Sequence, residues 1–372
     1  MSFYTEAQDS TAFPRKFTIN GYIKTLQTLN FNKDFSDLVS DNLLHNRINL
    51  KWQPSSKVSY VLEFRNRMFW GEEVKITPGF ASLLKNENEK LNLQKVWIDQ
   101  KSLVLLSNIE RMYSDFKVNK LNVRIGRQRI NWGMTTTWNP NDLFNSYNFL
   151  DFDYEERSGV DGGIINYFHN DQFNTELAFA KTGMENGDIV ALKYNLNKWN
   201  YDFQLITGWY NQHATLGTGW AGSIKDAGFK GEFQYYFTDK ESTGHLNLSM
   251  EGDYMFKNDW YINLGLLLNS RGLDQPITDL NALNIKISPE NLMPSQWNFM
   301  LTIAKELYPL FTSNVSLIYA PGTNQLIIYP TFQYNLAANL DVNLIWQSYF
   351  AELNGSFQAI NHQCFLRLKL SY

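Results

Sequence analysis

From Leu44 to Gln53 the chain alternates: Ile48, Leu50 and Trp52 are apolar, while His45, Arg47, Asn49 and Lys51 between them are polar or charged. A period of two places successive side chains on opposite faces of an extended strand. After a tight Q-P-S-S turn the pattern resumes, with Val58, Tyr60, Leu62 and Phe64 set against Ser59, Glu63, Arg65 and Arg67. A charge at every second place is intolerable in the core of a soluble β-sandwich, where a buried charge needs a partner. It suits a strand with lipid on one face and water on the other.

The same alternation recurs to the C-terminus. The first strand is expected over about 16–29, with Phe17, Ile19 and Ile23 on one face and Lys16, Thr18, Asn20 and Lys24 on the other. Later strands carry Leu177/Phe179, Val190/Leu192/Tyr194, Phe203/Leu205, Phe229/Phe233/Tyr235/Phe237 and Trp260/Ile262/Leu264/Leu266. The last sets Leu366, Leu368, Leu370 and Tyr372 against Arg367 and Lys369. Thr215–Ile224 looks like a glycine-rich loop, but the alternation of short and long turns in bacterial barrels makes it a strand. The expected fold is therefore all-β: a transmembrane, antiparallel, up-and-down β-barrel of about 18 strands, with 16 the alternative. An N-terminal tail covers 1–15 and the barrel 16–372, with long loops near 71–100, 133–157 and 270–295.

Composition agrees where it discriminates. No apolar run approaches the ~18 residues of a membrane-spanning helix. The 20 Tyr, 26 Phe and 11 Trp suit the aromatic girdles of a barrel. A net charge of -4 without a Lys/Arg run argues against nucleic acid. The lone Cys364 excludes a disulfide framework. The start S-F-Y-T-E-A-Q-D-S has neither a basic nor an apolar stretch, so the signal peptide that a barrel needs is expected to have been cleaved or omitted.

Between Leu121 and Tyr154 the pattern changes. Leu121, Val123 and Ile125 alternate with Asn122 and Arg124, and then Gly126 intervenes. A bulge at Gly126 would swap the faces. Ile130 and Trp132 would then join the apolar side, and Arg124, Arg127 and Arg129 would point into the lumen. The segment G-R-Q-R-I-N-W-G followed by W-N-P-N-D-L-F resembles one found in porin-type β-barrels of the Gram-negative outer membrane. The matching residues are Gly126, Arg127, Gln128, Trp132, Gly133, Asn139, Pro140 and Asp142. The closing strand with its final aromatic also resembles the assembly signal of outer-membrane proteins. The resemblance implies an outer-membrane location and names no solute.

The inward charges segregate by sign. Lys16, Lys24, Arg47, Lys51, Arg65, Arg67 and Arg124 lie on the early strands, with Glu63 the main exception, and closure brings Arg367 and Lys369 beside them. The middle strands carry Asp161, Glu176, Asp202, Glu232, Glu251 and Asp253, with Lys193 and Lys230 the exceptions. The two walls are expected to set a transverse field across a constriction formed by Arg124, Arg127, Arg129 and the long loop. Asp142, Asp151 or Asp153 would supply counter-charges. The five scattered histidines show no metal-ligand spacing, and His245 lies ~13 Å from Ser249 along its strand, so no enzyme, metal or cofactor is expected. The expected function is passive diffusion of small hydrophilic solutes through a porin-like channel. The alternative is a non-conducting barrel subunit of an outer-membrane assembly. Expected partners are outer-membrane lipid, small solutes and a homo-oligomer or complex partner.

Overall fold

The computed structural model describes residues 16–86, 89–146, 149–151, 157–185, 187–238 and 244–372. The N-terminal tail, Asp153 and the turn at 239–242 lie outside them. The strands are β1 (Phe17–Asn32), β2 (Leu38–Ser55), β3 (Val58–Gly71), β4 (Gln94–Gln100), β5 (Leu103–Val118), β6 (Leu121–Gln128), β7 (Val160–Asn170), β8 (Phe173–Lys181), β9 (Ile189–Lys198) and β10 (Tyr201–Tyr210). They continue as β11 (His213–Ile224), β12 (Ala227–Phe237), β13 (His245–Met255), β14 (Trp260–Asn269), β15 (Trp297–Tyr308), β16 (Phe311–Ala320), β17 (Gln325–Ala337), β18 (Leu340–Leu353) and β19 (Ser356–Ser371). Every pairing is antiparallel between neighbours, and β1 closes on β19 from Tyr22↔Ser371 to Asn32↔Asn361. Eighteen strands form the closed barrel, and β4 is supernumerary. The glycine-rich stretch is the strand β11, paired along its length with β10 and β12.

β4 has a specific place. One edge of β5 pairs with β3 throughout, while its other edge is shared. There β6 takes Met112–Val118, and β4 takes Leu103–Asn108. β6 has only 8 residues because the chain leaves the wall after Gln128, and β4 fills the vacated position. The sequence expectation of a plain loop over 71–100 is corrected on this point. Short helical turns at Glu72–Ile76 and Phe80–Leu83 precede β4, and their Val74 and Ala81 pack inside the barrel on Val104 and Leu106.

Tight turns at 56–57, 119–120, 171–172, 199–200, 225–226, 256–259, 309–310 and 338–339 lie at one end of the barrel, together with the first and last strand termini. The long connections 72–93, 129–159 and 270–296 lie at the other, together with short turns at 211–212, 321–324 and 354–355, so one end carries only tight turns and the other carries all the long loops. The outward parity is apolar: Trp52, Leu177, Phe179, Leu366, Leu368 and Leu370 are all exposed. β5 resisted assignment of its faces for a physical reason. Its register with β3 slips between Glu63 and Phe64, so that Glu110 and Arg111 are consecutive and both buried.

Gly126 behaves differently from expectation. No register slip occurs there: Tyr113 pairs Gly126 and Met112 pairs Arg127 in unbroken sequence. The glycine supplies a backbone bend instead, with φ +126°, and an added Cβ would sit 2.2 Å from the Met112 carbonyl oxygen. The strand ends two residues later. Ile130 and Trp132 are therefore not on the outer face; they are 1% and 2% exposed in a core cluster inside the barrel.

Candidate functional site

After Gln128 the chain runs into the lumen and returns to the wall at Val160. Two apolar clusters seat it. Ile130, Trp132, Leu143 and Phe144 pack on the inward Ala178, Ala191 and Ile206. Trp138 packs with Leu267, Met300 and Ile318 on the far wall, where Phe149 and Leu150 also lie. Inward-facing alanine, leucine and isoleucine on β8–β10, β14 and β16 were the readable signal that something covers those strands, since a bare lumen face would be polar.

Polar anchors fix the register of the loop. Glu232 of β12 is fully buried and accepts from the backbone N–H groups of Met134, Thr135 and Asn141, and from Asn139 Nδ2 at 3.1 Å. Glu251 of β13 accepts from the N–H groups of Thr136 and Thr137, both at 2.7 Å. Arg157 joins the two legs of the loop, donating to Asp142, to Asn131 Oδ1 at 2.9 Å and to Asn139 Oδ1 at 2.7 Å. Burial, with Arg129 alongside, draws Arg157 down to about 10 while Glu232 opposes the shift, so it remains a cation at neutral pH. Asp142 also accepts from the Trp132 N–H at 3.2 Å. Asn139, Asn141 and Asp142 thus serve as anchors of the loop.

These placements change the expected roles of several charges. Glu232 and Glu251 are occupied by loop N–H groups instead of facing water. Glu176 accepts from the Trp132 indole and lies 3.8 Å from Lys193 Nζ. Asp253 faces Lys230 at 3.8 Å. Asp161 shares the outward parity of Gly163 and Ile165 and is bound to Arg127, so it does not face the lumen. The acidic half of the expected transverse field is therefore largely consumed within the protein. Asp142 serves Arg157 and not Arg127 or Arg129, and Asp151 is exposed.

Arg127 is the larger correction. It is 0% exposed in its side chain and lies in the seam where β6 ends. Its Nε and Nη2 donate to Asp161 at 2.9 Å each, and its Nη1 donates to Glu89 at 2.8 Å and to the Ile109 carbonyl at 3.0 Å. Nη2 also donates to the Leu91 carbonyl. Arg127 seals the wall. Arg124 does face inward, on Asp115 at 2.7 Å, and Arg129 is half-buried close to Arg157.

Register places Lys369, Lys24, His45 and Arg67 in one inward row across β19, β1, β2 and β3. Arg47 and Arg65 are paired in the adjacent row. Glu63 meets Arg47, and Glu110 meets Arg65 at 3.2 Å. Arg367 donates to Asn343 Oδ1 at 3.0 Å, and Lys369 lies 4.8 Å over the Tyr22 ring. The row thus gathers three cations, Lys369, Lys24 and Arg67, around His45. Polar cavities near the tight-turn end lie against both walls, one of about 290 Å3 beside Arg124 and Lys51 and one of about 400 Å3 beneath Trp132 and Gly133. Among the described residues, no three His, Cys, Asp or Glu side chains converge as metal ligands.

No family model matches the chain, and no curated protein matches it. Solved structures do. Pseudomonas aeruginosa OccK5 (OpdH) is similar with a TM-score of 0.60 at 8% identity, over 95% of this chain and 98% of that one. Acinetobacter baumannii OccAB4 gives 0.60 at 9% identity over 96% and 98%. The outer membrane protein opdK from Pseudomonas aeruginosa gives 0.61 at 8% identity over 95% and 98%. At such identities the likeness is one of fold.

Proposed function

We propose that this chain is a porin-like channel of a Gram-negative outer membrane, passing small hydrophilic solutes by diffusion. The observation that carries the reading is a lumen narrowed by an inward loop, which is clamped to the acidic wall and leaves the basic wall opposite. The outward apolar parity supports the location, and so does the fold shared with outer-membrane proteins. By the turn rule the tight-turn end is periplasmic.

Planar-bilayer conductance of the purified chain tests the channel. Replacing Arg67 and Arg367 with glutamine should shift the reversal potential towards cations, and the shift should shrink in 1 M salt, where screening reaches only ~3 Å. Unchanged selectivity would remove the basic wall from the permeation path. The second reading, a non-conducting barrel subunit, draws on the burial of Lys24 and Arg47, which are 1% and 2% exposed. A chain that assembles and conducts nothing would favour it.

The membrane placement has its own tests. Leu368→Arg or Leu50→Arg should cost about 2–4 kcal/mol if the site lies near the bilayer midplane, read as lost heat resistance of the assembled barrel. Normal assembly of both variants would reject lipid contact at those faces. Single-cysteine labels at Lys225 and Gln212 sit in successive turns and should report opposite sides of the membrane. Labelling of both from one side would overturn the topology.

A further inference from the structure

Above the loop, at the end of the barrel that carries the long connections, lies a cavity of about 530 Å3. Leu143 and Phe144 form its floor, Tyr210 and His245 its wall, and the stretch around Ile287 and Glu290 its cover. No residue of the basic wall reaches it. Its size falls within the ~300–1,000 Å3 of small-molecule sites, which combine apolar walls with a few placed polar groups.

Buried polar atoms gather there without partners. His245 is 1% exposed, and its Nδ1 has no hydrogen-bond partner among the described residues. Thr182 is 2% exposed, lines the same cavity, and its hydroxyl has no partner among the described residues. Tyr236 does not line the cavity; it is fully buried behind His245 and stacked on its ring at 4.7 Å, which holds that ring in place. Native interiors leave few such groups unsatisfied, so each asks for an occupant.

The charged lining does not ask in the same way. Arg271 and Lys286 are exposed at the rim. Glu290 lies 3.4 Å from His245 Nε2 and within electrostatic reach of Arg271. What remains wanting on the lining is the Thr182 hydroxyl and the His245 ring nitrogen, between apolar walls. Groups of this kind can donate or accept, and they match a ligand that carries several hydroxyls and a C–H face.

We propose that this cavity binds an uncharged polyhydroxylated solute, of the mono- or disaccharide class, at the mouth of the barrel above the loop. The hydroxyls of such a solute satisfy Thr182 and His245, and its C–H face packs on Phe144, Tyr210 and Ile287.

The test is equilibrium binding to the purified barrel in detergent, by calorimetry or saturation-transfer NMR, so that it stands apart from conductance. Maltose and glucose are the probes, and a small dicarboxylate is the control. Saccharide binding should saturate, and Thr182→Val and His245→Phe should each weaken it by about five-fold or more, the loss of one hydrogen bond. Arg67→Gln, on the opposite wall, should leave it unchanged. A heat-resistant barrel that binds neither sugar would show that the cavity holds only water and overturn the proposal. Dicarboxylate binding that His245→Phe abolishes, without sugar binding, would overturn it too.

Discussion

Replacing Glu232 with glutamine should enlarge the channel. The wild-type carboxylate accepts from three backbone N–H groups of the loop and from Asn139, in full burial. Glutamine presents one acceptor oxygen and one donor group to that ring of donors. At least one buried N–H is then left unsatisfied and one donor faces another, a cost on the order of 3 kcal/mol. The loss falls on the loop and not on the barrel, because strand pairing closes the wall without it. The expected result is a larger single-channel conductance and noisier open state, with heat resistance retained. Glu251→Gln should add to it by freeing Thr136 and Thr137. Unaltered conductance and noise in the double variant would mean that the loop does not set the bore.

The wall of this barrel was legible in the sequence because strand periodicity is local. Ile48/Leu50/Trp52 and Leu366/Leu368/Leu370 declare their outward face by alternation, and turn spacing sufficed to recover β11. Inward placement of Arg47, Arg65, Arg67, Arg367 and Lys369 followed from the same parity. What parity cannot report is whether an inward side chain meets water or protein. Glu232 and Glu251 read as lumen charges, and only the loop that crosses to them reveals their partners. The inward Ala178, Ala191 and Ile206 carried a signal of coverage, but no local rule says which segment covers them. β4 was hidden for a related reason: it pairs where β6 has left, and no periodic motif announces that departure. Gly126 was correctly singled out, yet a bend and a bulge use the same residue and differ only in register.

Removing the Arg127 guanidinium should open the seam of the wall rather than change ion selectivity. In Arg127→Met the carboxylates of Asp161 and Glu89 lose the cation that lies between them, while Asp161 keeps its bond from the Leu91 N–H at 2.7 Å. Breaking a buried pair by removing one partner typically costs about 3–5 kcal/mol. The loss should appear as a lower temperature for unfolding of the barrel and as protease cleavage within 84–93, the stretch that Glu89 and Leu91 hold down. Its pH dependence has a definite sign. Burial holds the Glu89 carboxyl above its ordinary range, with Arg127 opposing, and the variant removes that opposition. A group whose folded-state pKa is raised favours the folded state while protonated, and that contribution is lost as pH rises through the folded value. The deficit of Arg127→Met should therefore be smaller at about pH 5 than at about pH 8, and Glu89→Gln added to it should flatten the difference. Barrels of the single variant that assemble at the lower pH should keep the wild-type reversal potential, because Arg127 does not face the lumen. A shift towards cations equal to that of Arg67→Gln would return Arg127 to the pore.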